Sequence, residues 1–164
     1  MSVWIVNASP VIALAKVRQL QLLDALGGEV WLPEAVAIEL VAGPEGDPAR
    51  MAVVANWGRR CSPSAIPDTV VEWGLGAGET AVLAVAMERQ PATAVLDDGM
   101  ARSAARALGI PLIGTLGVVV RARRVGIIPS AGTVMRDLKD VGLRLDDTLV
   151  GAVLERIGER WIRT

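Results

Sequence analysis

The chain reads as an α/β protein with a parallel, helix-sandwiched sheet. Three observations lead there. Val3-Trp4-Ile5-Val6, Val30-Trp31-Leu32, Ala92-Thr93-Ala94-Val95-Leu96 and Ile110-Pro111-Leu112-Ile113 are short apolar runs of strand length. They are apolar throughout instead of alternating, as strands covered on both faces must be. Longer segments with apolar residues at helical spacing separate them.

Taken in order, the first strand is followed by Asn7-Ala8-Ser9-Pro10, where Ser9 is a suitable N-cap and Pro10 a suitable first helical residue. The pattern Val11, Ile12, Leu14, Ala15 runs into a second one, Leu20, Leu22, Leu23, Leu26, stopped by Gly27-Gly28. After the second strand, Pro33 opens a helix through Leu40 that carries Glu34 and Glu39. Residues 42–68 are less ordered: a Gly/Pro loop, a helix from Ala49 to Trp57, and a short strand within Arg60 to Ile66. Gly76-Ala77-Gly78 breaks the chain, and Glu79-Thr80 opens a helix through Glu88 that is apolar nearly all round and therefore buried. Pro91 ends it, and the third strand leads into Asp97-Asp98. A helix from Gly99 to Leu108, capped by Gly109, precedes the last strand. Thr115 then caps a helix Leu116 to Val125, and two more helices cover Thr133–Val141 and Thr148–Arg160.

The totals narrow the chemistry. The 164 residues suit one domain spanning 1–164. No apolar run is long enough for a membrane span, and the N-terminus lacks the charged start of a signal peptide, so a cytoplasmic protein is expected. A single cysteine, Cys61, leaves no internal disulfide and no cysteine zinc cluster. There is no histidine, which removes Ser-His-Asp and Cys-His catalysis and the usual zinc ligands. Any hydrolase here works with carboxylates, hydroxyls, Lys/Arg and a bound metal. The net charge of -1 argues against a generally basic nucleic-acid binder. The glycine-rich stretch Gly74 to Gly78 matches neither the dinucleotide fingerprint nor the P-loop.

Sites in open α/β sheets form at the carboxyl ends of strands. Asn7 and Asp97-Asp98 end strands, and Glu39 and Glu79 lie on helices bordering such ends. Oxygens converging there suit a hard divalent cation, which can activate water and stabilise a leaving oxygen. Each residue also has a plainer role. Glu79 can complement a helix dipole, roughly 0.3–1 kcal/mol. Asp98 alone reads best as an N-cap. Glu39 can be a solvent-facing charge, and Asn7 can make a local turn. Asp146-Asp147 is a helix start, and Arg121, Arg123 and Arg124 form a solvated helix face.

The segments VNASPVIALAKVRQLQLLDAL, LPEAVAIEL, LGAGETAVLAVA and AVLDDGMARSAARALGIPLIGTLGVVVRARRVGIIPS, in that order, resemble a PIN domain. They are most similar to the branch of predicted nucleic-acid-binding PIN proteins related to VapC-type toxins, from Val3 to about Gly158. The resemblance implies a three-layer α/β/α sandwich with a central parallel sheet. It implies Mg²⁺- or Mn²⁺-dependent cleavage of RNA by an acidic cluster. It maps the family acids onto Asn7, Glu39, Glu79 and Asp97, with Asp98 as an auxiliary metal ligand and Ser9 as the small hydroxyl residue that orients the shell. It also implies a homodimer and a cognate antitoxin partner, for which the apolar late helix with Leu149, Val153, Leu154 and Ile157 is one candidate surface. Asn7 departs from the pattern: its carbonyl can still bind Mg²⁺, but one negative charge is lost.

Two functions follow. The first is a metal-dependent endoribonuclease and toxin, with Glu39, Glu79 and Asp97 catalytic. The alternative, favoured by Asn7, is a catalytically weak or inactive PIN-fold module that binds RNA or protein. A phosphoacceptor receiver domain is set aside, because its acidic pair follows the first strand and it needs a lysine near the last one, whereas the lysines here are Lys16 and Lys139.

Overall fold

The computed structural model describes residues 2–162. Five parallel strands form one sheet in the order β3-β2-β1-β4-β5, with β1 at Val3–Val6, β2 at Glu29–Pro33, β3 at Arg59–Cys61, β4 at Thr93–Val95 and β5 at Leu112–Ile113. Ile5 pairs with Trp31 on one side and with Ala94 on the other, so β1 is central. The chain winds outward from β1 to β3, then returns across the sheet to build β4 and β5.

Helices cover both faces of this sheet, as the α/β/α expectation requires. Helix α1 (Ala8–Lys16) follows β1, and α2 (Gln21–Gly27) packs on β1 and β2. Then come α3 (Glu34–Val41), α4 (Pro48–Val54) and a one-turn α5 (Asp68–Val71) that no sequence signal indicated. Helix α6 (Ala77–Glu88) lies across β1, β2 and β4, and every residue from Ala81 to Ala86 is buried. Helices α7 (Gly99–Ala107), α8 (Thr115–Arg124), α9 (Ala131–Asp140) and α10 (Asp147–Arg156) complete the chain. Among the described residues no helix is long and apolar enough to cross a membrane.

The core runs between the layers. Trp4, Ile5 and Val6 are buried, and so are Leu14, Leu22, Leu23, Leu32, Leu83 and Leu96. Each such side chain contributes about 1.5–3 kcal/mol on burial. Trp4 sets a local requirement. A Cβ at Gly27 would stand 3.0 Å from the indole, so any larger residue at the end of α2 would press on the ring. Trp31, in the middle of β2 and buried, is approached by the guanidinium groups of Arg59 and Arg89, 4.5 and 4.2 Å from the ring centre.

Several boundaries differ from the sequence reading. Helix α1 begins at Ala8 with Asn7 as its N-cap, so Ser9 sits inside the first turn and caps nothing. Arg18, with φ at 59°, separates α1 from α2. Gly114, not Thr115, is the N-cap of α8. Helix α10 stops at Arg156, and Gly158 turns the chain at φ 77°. Leu154 of this helix is core, whereas Leu149 is exposed. Arg121 and Arg124 are exposed, as expected, whereas Arg123 is half-buried with its Nε 3.3 Å from a carboxylate oxygen of Glu159.

Glu159 locks the chain beyond α10 onto α9. One oxygen accepts the Ser130 hydroxyl at 2.7 Å and the Gly132 N–H at 2.9 Å, and the other accepts the Ala131 N–H at 2.9 Å. Burial pulls its pKa upward, but the hydrogen bonds from Gly132, Ser130 and Ala131, with the charge of Arg123, outweigh it and hold the carboxyl below its ordinary 4.5. A depressed carboxyl pKa stabilises the fold fully above the unfolded value and ceases to do so as pH falls through the folded one. Replacing a cap of this kind costs about 1 kcal/mol, or about 2–4 °C in a domain of this size. Glu159→Gln should lower the melting temperature by that amount at pH 7, with the difference from the native chain vanishing in melts taken well below pH 4.

Candidate functional site

The strand order reverses between β1 and β4, and the crevice outside their carboxyl ends is where such a sheet can hold a ligand. Val6 pairs with Val95, and the Asn7 N–H extends the ladder to the Val95 carbonyl at 3.1 Å. Asn7 therefore leaves β1 beside the segment Leu96-Asp97 that leaves β4. Helix α6 brings its first turn to the same edge, and α3 packs against α6.

The structure groups Asn7, Glu39 and Glu79. Asn7 is 3% exposed, and its Nδ2 donates to Glu79 Oε1 at 3.4 Å. A Cβ built at Gly78 would lie 3.0 Å from Glu39 Oε2 and 3.2 Å from Asn7 Oδ1. Gly78 thus keeps open the space that these two oxygens face. Glu79 folds back over the start of its own helix, with Oε2 2.8 Å from where a Gly76 side chain would begin. Its charge sits there at the positive end of the helix dipole. Glu39 is exposed and makes no hydrogen bond or ion pair with the described residues.

Asn7 Oδ1 is buried and has no hydrogen-bond partner. Leaving such a carbonyl unsatisfied costs about 1–3 kcal/mol. Turning the amide over would not help, because it would aim the oxygen at the Glu79 carboxylate. The oxygen, Glu39 and Glu79 form a hard-donor set of the kind a Mg²⁺- or Mn²⁺-class cation takes. The set fits such an ion, with less charge than an all-carboxylate set provides.

Asp97 is placed differently. Its Oδ1 accepts the Thr115 N–H at 2.8 Å and its Oδ2 accepts the Thr115 hydroxyl at 2.5 Å. Thr115 is 1% exposed; it and Asn7 are the buried polar residues of the described chain. Asp97 therefore secures the start of α8 against the end of β4. Asp98 is exposed, and its side chain accepts the Ala101 N–H at 2.9 Å, the N-cap of α7. Ser9 is exposed and faces a separate cavity of about 200 Å³ with Lys16 and Leu143. Among the described residues, no three or more Asp, Glu, Cys or His side chains are placed to hold a metal ion together. Cys61 is no nucleophile: burial, with Glu34 nearby, pushes its thiol up to about 11.

Arg102, which the sequence did not single out, belongs to this region. It donates to the Leu96 carbonyl at 2.9 Å, and a Cβ at Gly114 would meet its guanidinium at 2.7 Å and Asp97 Oδ1 at 3.0 Å. Its signal in the sequence is its spacing: it stands one helical turn past the Asp98 cap, facing back to the strand end.

Residues 3–159 match the family model DUF3368, described as a PIN domain. No curated protein matches the chain.

Asn7→Asp would exchange a donor for a second carboxylate beside Glu79. Like charges this close raise one pKa and disfavour the ionised fold. The variant should melt lower than the native chain in EDTA at pH 7.5, by about 1–3 kcal/mol in stability, and recover most of that loss with millimolar Mn²⁺ or at pH 5. Equal melts with and without Mn²⁺ would remove the hard-cation reading of this oxygen set.

Proposed function

The chain belongs to the PIN-domain family, and from that premise we propose that it is an RNA-binding regulatory module with weak or no phosphodiester cleavage. The observation that carries this is the neutral amide of Asn7 beside Glu39 and Glu79. Its N–H is donated to Glu79 Oε1 at 3.4 Å. Asp97 meanwhile has both oxygens engaged by Thr115. With an amide at position 7, such a centre carries less negative charge than an all-carboxylate set. RNA is the ligand class through the resemblance to nucleic-acid-directed PIN proteins, and 15 of the 17 basic residues are arginine, the side chain suited to phosphate.

The unpartnered Asn7 Oδ1 favours a second reading, a metal-dependent endoribonuclease of the toxin type. There Asn7, Glu39 and Glu79 would hold a Mg²⁺ or Mn²⁺ ion, with Asp97 and Asp98 nearer the rim. The ion would supply Lewis-acid activation of water and of the leaving oxygen. A cognate antitoxin and a second copy of the chain would be its protein partners.

Purified protein and a mixed single-stranded RNA pool separate the two. The module should retain RNA on a filter or in a gel shift in EDTA, and cleavage with Mn²⁺ or Mg²⁺ should be absent or slight, rising in Asn7→Asp. Metal-dependent cutting by the native chain, lost in Asp97→Asn and Glu39→Gln, would instead establish the nuclease. Glu39→Gln is the cleaner control, because Asp97 also supports α8 and its loss costs stability. Without RNA retention or cutting, neither reading stands.

A further inference from the structure

A cavity of about 520 Å³ opens between β5, α8 and α10. It is within the range of about 300–1,000 Å³ that small-molecule sites occupy. Its walls are aliphatic: Leu112, Leu116, Val120 and Val153. Asp97 and Arg102 stand at one end. The walls approach closely because α8 carries glycine where it meets the strand; a Cβ at Gly117 would be 2.8 Å from Ile113. Leu149, 54% exposed, overhangs the lip.

That end holds one carboxylate and one guanidinium, and the carboxylate is the group already engaged. Both Asp97 oxygens are engaged by Thr115 at the amino end of α8, where the helix dipole offsets their charge. Arg102 is held in place by its bond to the Leu96 carbonyl and makes no ion pair with the described residues. A half-buried guanidinium with that geometry keeps donors for an anion. An aliphatic slot with a fixed cation at its mouth fits a ligand with a flat apolar body and an attached phosphate.

Resting on the RNA-binding reading, we propose that this cleft is a nucleotide seat. A base lies between Leu116, Val120 and Val153, and its 5′-phosphate meets Arg102, beside the crevice at the strand ends. Base identity is read weakly, because the walls offer contact area and few hydrogen-bonding groups.

The test follows backbone amides of the full chain by NMR in EDTA, titrated with uridine 5′-monophosphate, adenosine 5′-monophosphate, the uncharged nucleoside uridine, ribose 5-phosphate, inorganic phosphate and decanoate. Both nucleotides should shift the Gly114 and Gly117 amides, with ribose 5-phosphate and phosphate at least tenfold weaker. Arg102→Gln should weaken nucleotide binding about tenfold and leave binding of the uncharged nucleoside unchanged. Val153→Phe, which fills the slot without touching the Arg102 anchor, should abolish both. If neither nucleotide moves Gly114 or Gly117 while an RNA oligomer still binds, the seat is overturned and the RNA-binding module survives. Loss of both overturns the module as well. Decanoate binding as tightly as the nucleotides would also overturn the assignment, in favour of an acyl-chain site.

Discussion

The packing of α6 across β1, β2 and β4 is the constraint on which the other arrangements depend. Ala81 through Ala86 have no solvent-facing side, so the helix cannot rotate or slide without opening voids in a close-packed interior. Its direction is thereby set, and its first turn is delivered to the carboxyl edge of the sheet. Gly78 and Glu79 come to Asn7 for that reason. Helix α3 follows, because it packs on α6, and it brings Glu39 to the space that Gly78 leaves.

The polar groups at this edge are balanced internally. Asn7 and Thr115 lie in the interior on the two sides of the strand-order reversal, and each is paired with a carboxylate. An aspartate at position 7 would place a third negative group where the amide now donates. The same neutral residue that lowers the charge of the oxygen set also lets the set close on itself. The residual imbalance is one carbonyl oxygen, and it points to the opening bounded by Glu39.

Much of this was legible in the chain itself. The apolar runs located the strands, Gly27-Gly28 and Pro91 located stops, and the all-apolar stretch after Glu79 announced a buried helix. Convergence of Asn7, Glu39 and Glu79 followed from placing carboxyl ends of strands together. What could not be read was three-dimensional competition for side-chain oxygens. Asp97 looks identical in sequence whether it faces a ligand or holds Thr115. Ser9 has the chemistry of a cap, but the helix starts two residues earlier than that cap implies, because Asn7 already leaves the strand with extended φ and ψ. The one-turn α5, Asp68–Val71, lies just past the poorly patterned residues 42–68 and carries too few residues to show a period. Arg102 was hidden because its role depends on the backbone carbonyl of Leu96, which no residue type encodes.

The Glu159 lock has a practical consequence for handling the chain. Its carboxylate joins three separate stretches of sequence: the last turn of α8 through Arg123, the start of α9 through Ala131 and Gly132, and the segment beyond α10. A truncation that ends at Gly158 would remove only six residues, and the described ones, 159–162, lie outside regular secondary structure. It would nonetheless strip α9 of its anion, leave Arg123 without its carboxylate partner, and remove Trp161, whose indole N–H donates to Asp147 of α10 at 2.7 Å. The boundary suggested by secondary structure is thus the wrong place to cut; a shortened version for crystallisation or fusion must retain residue 159.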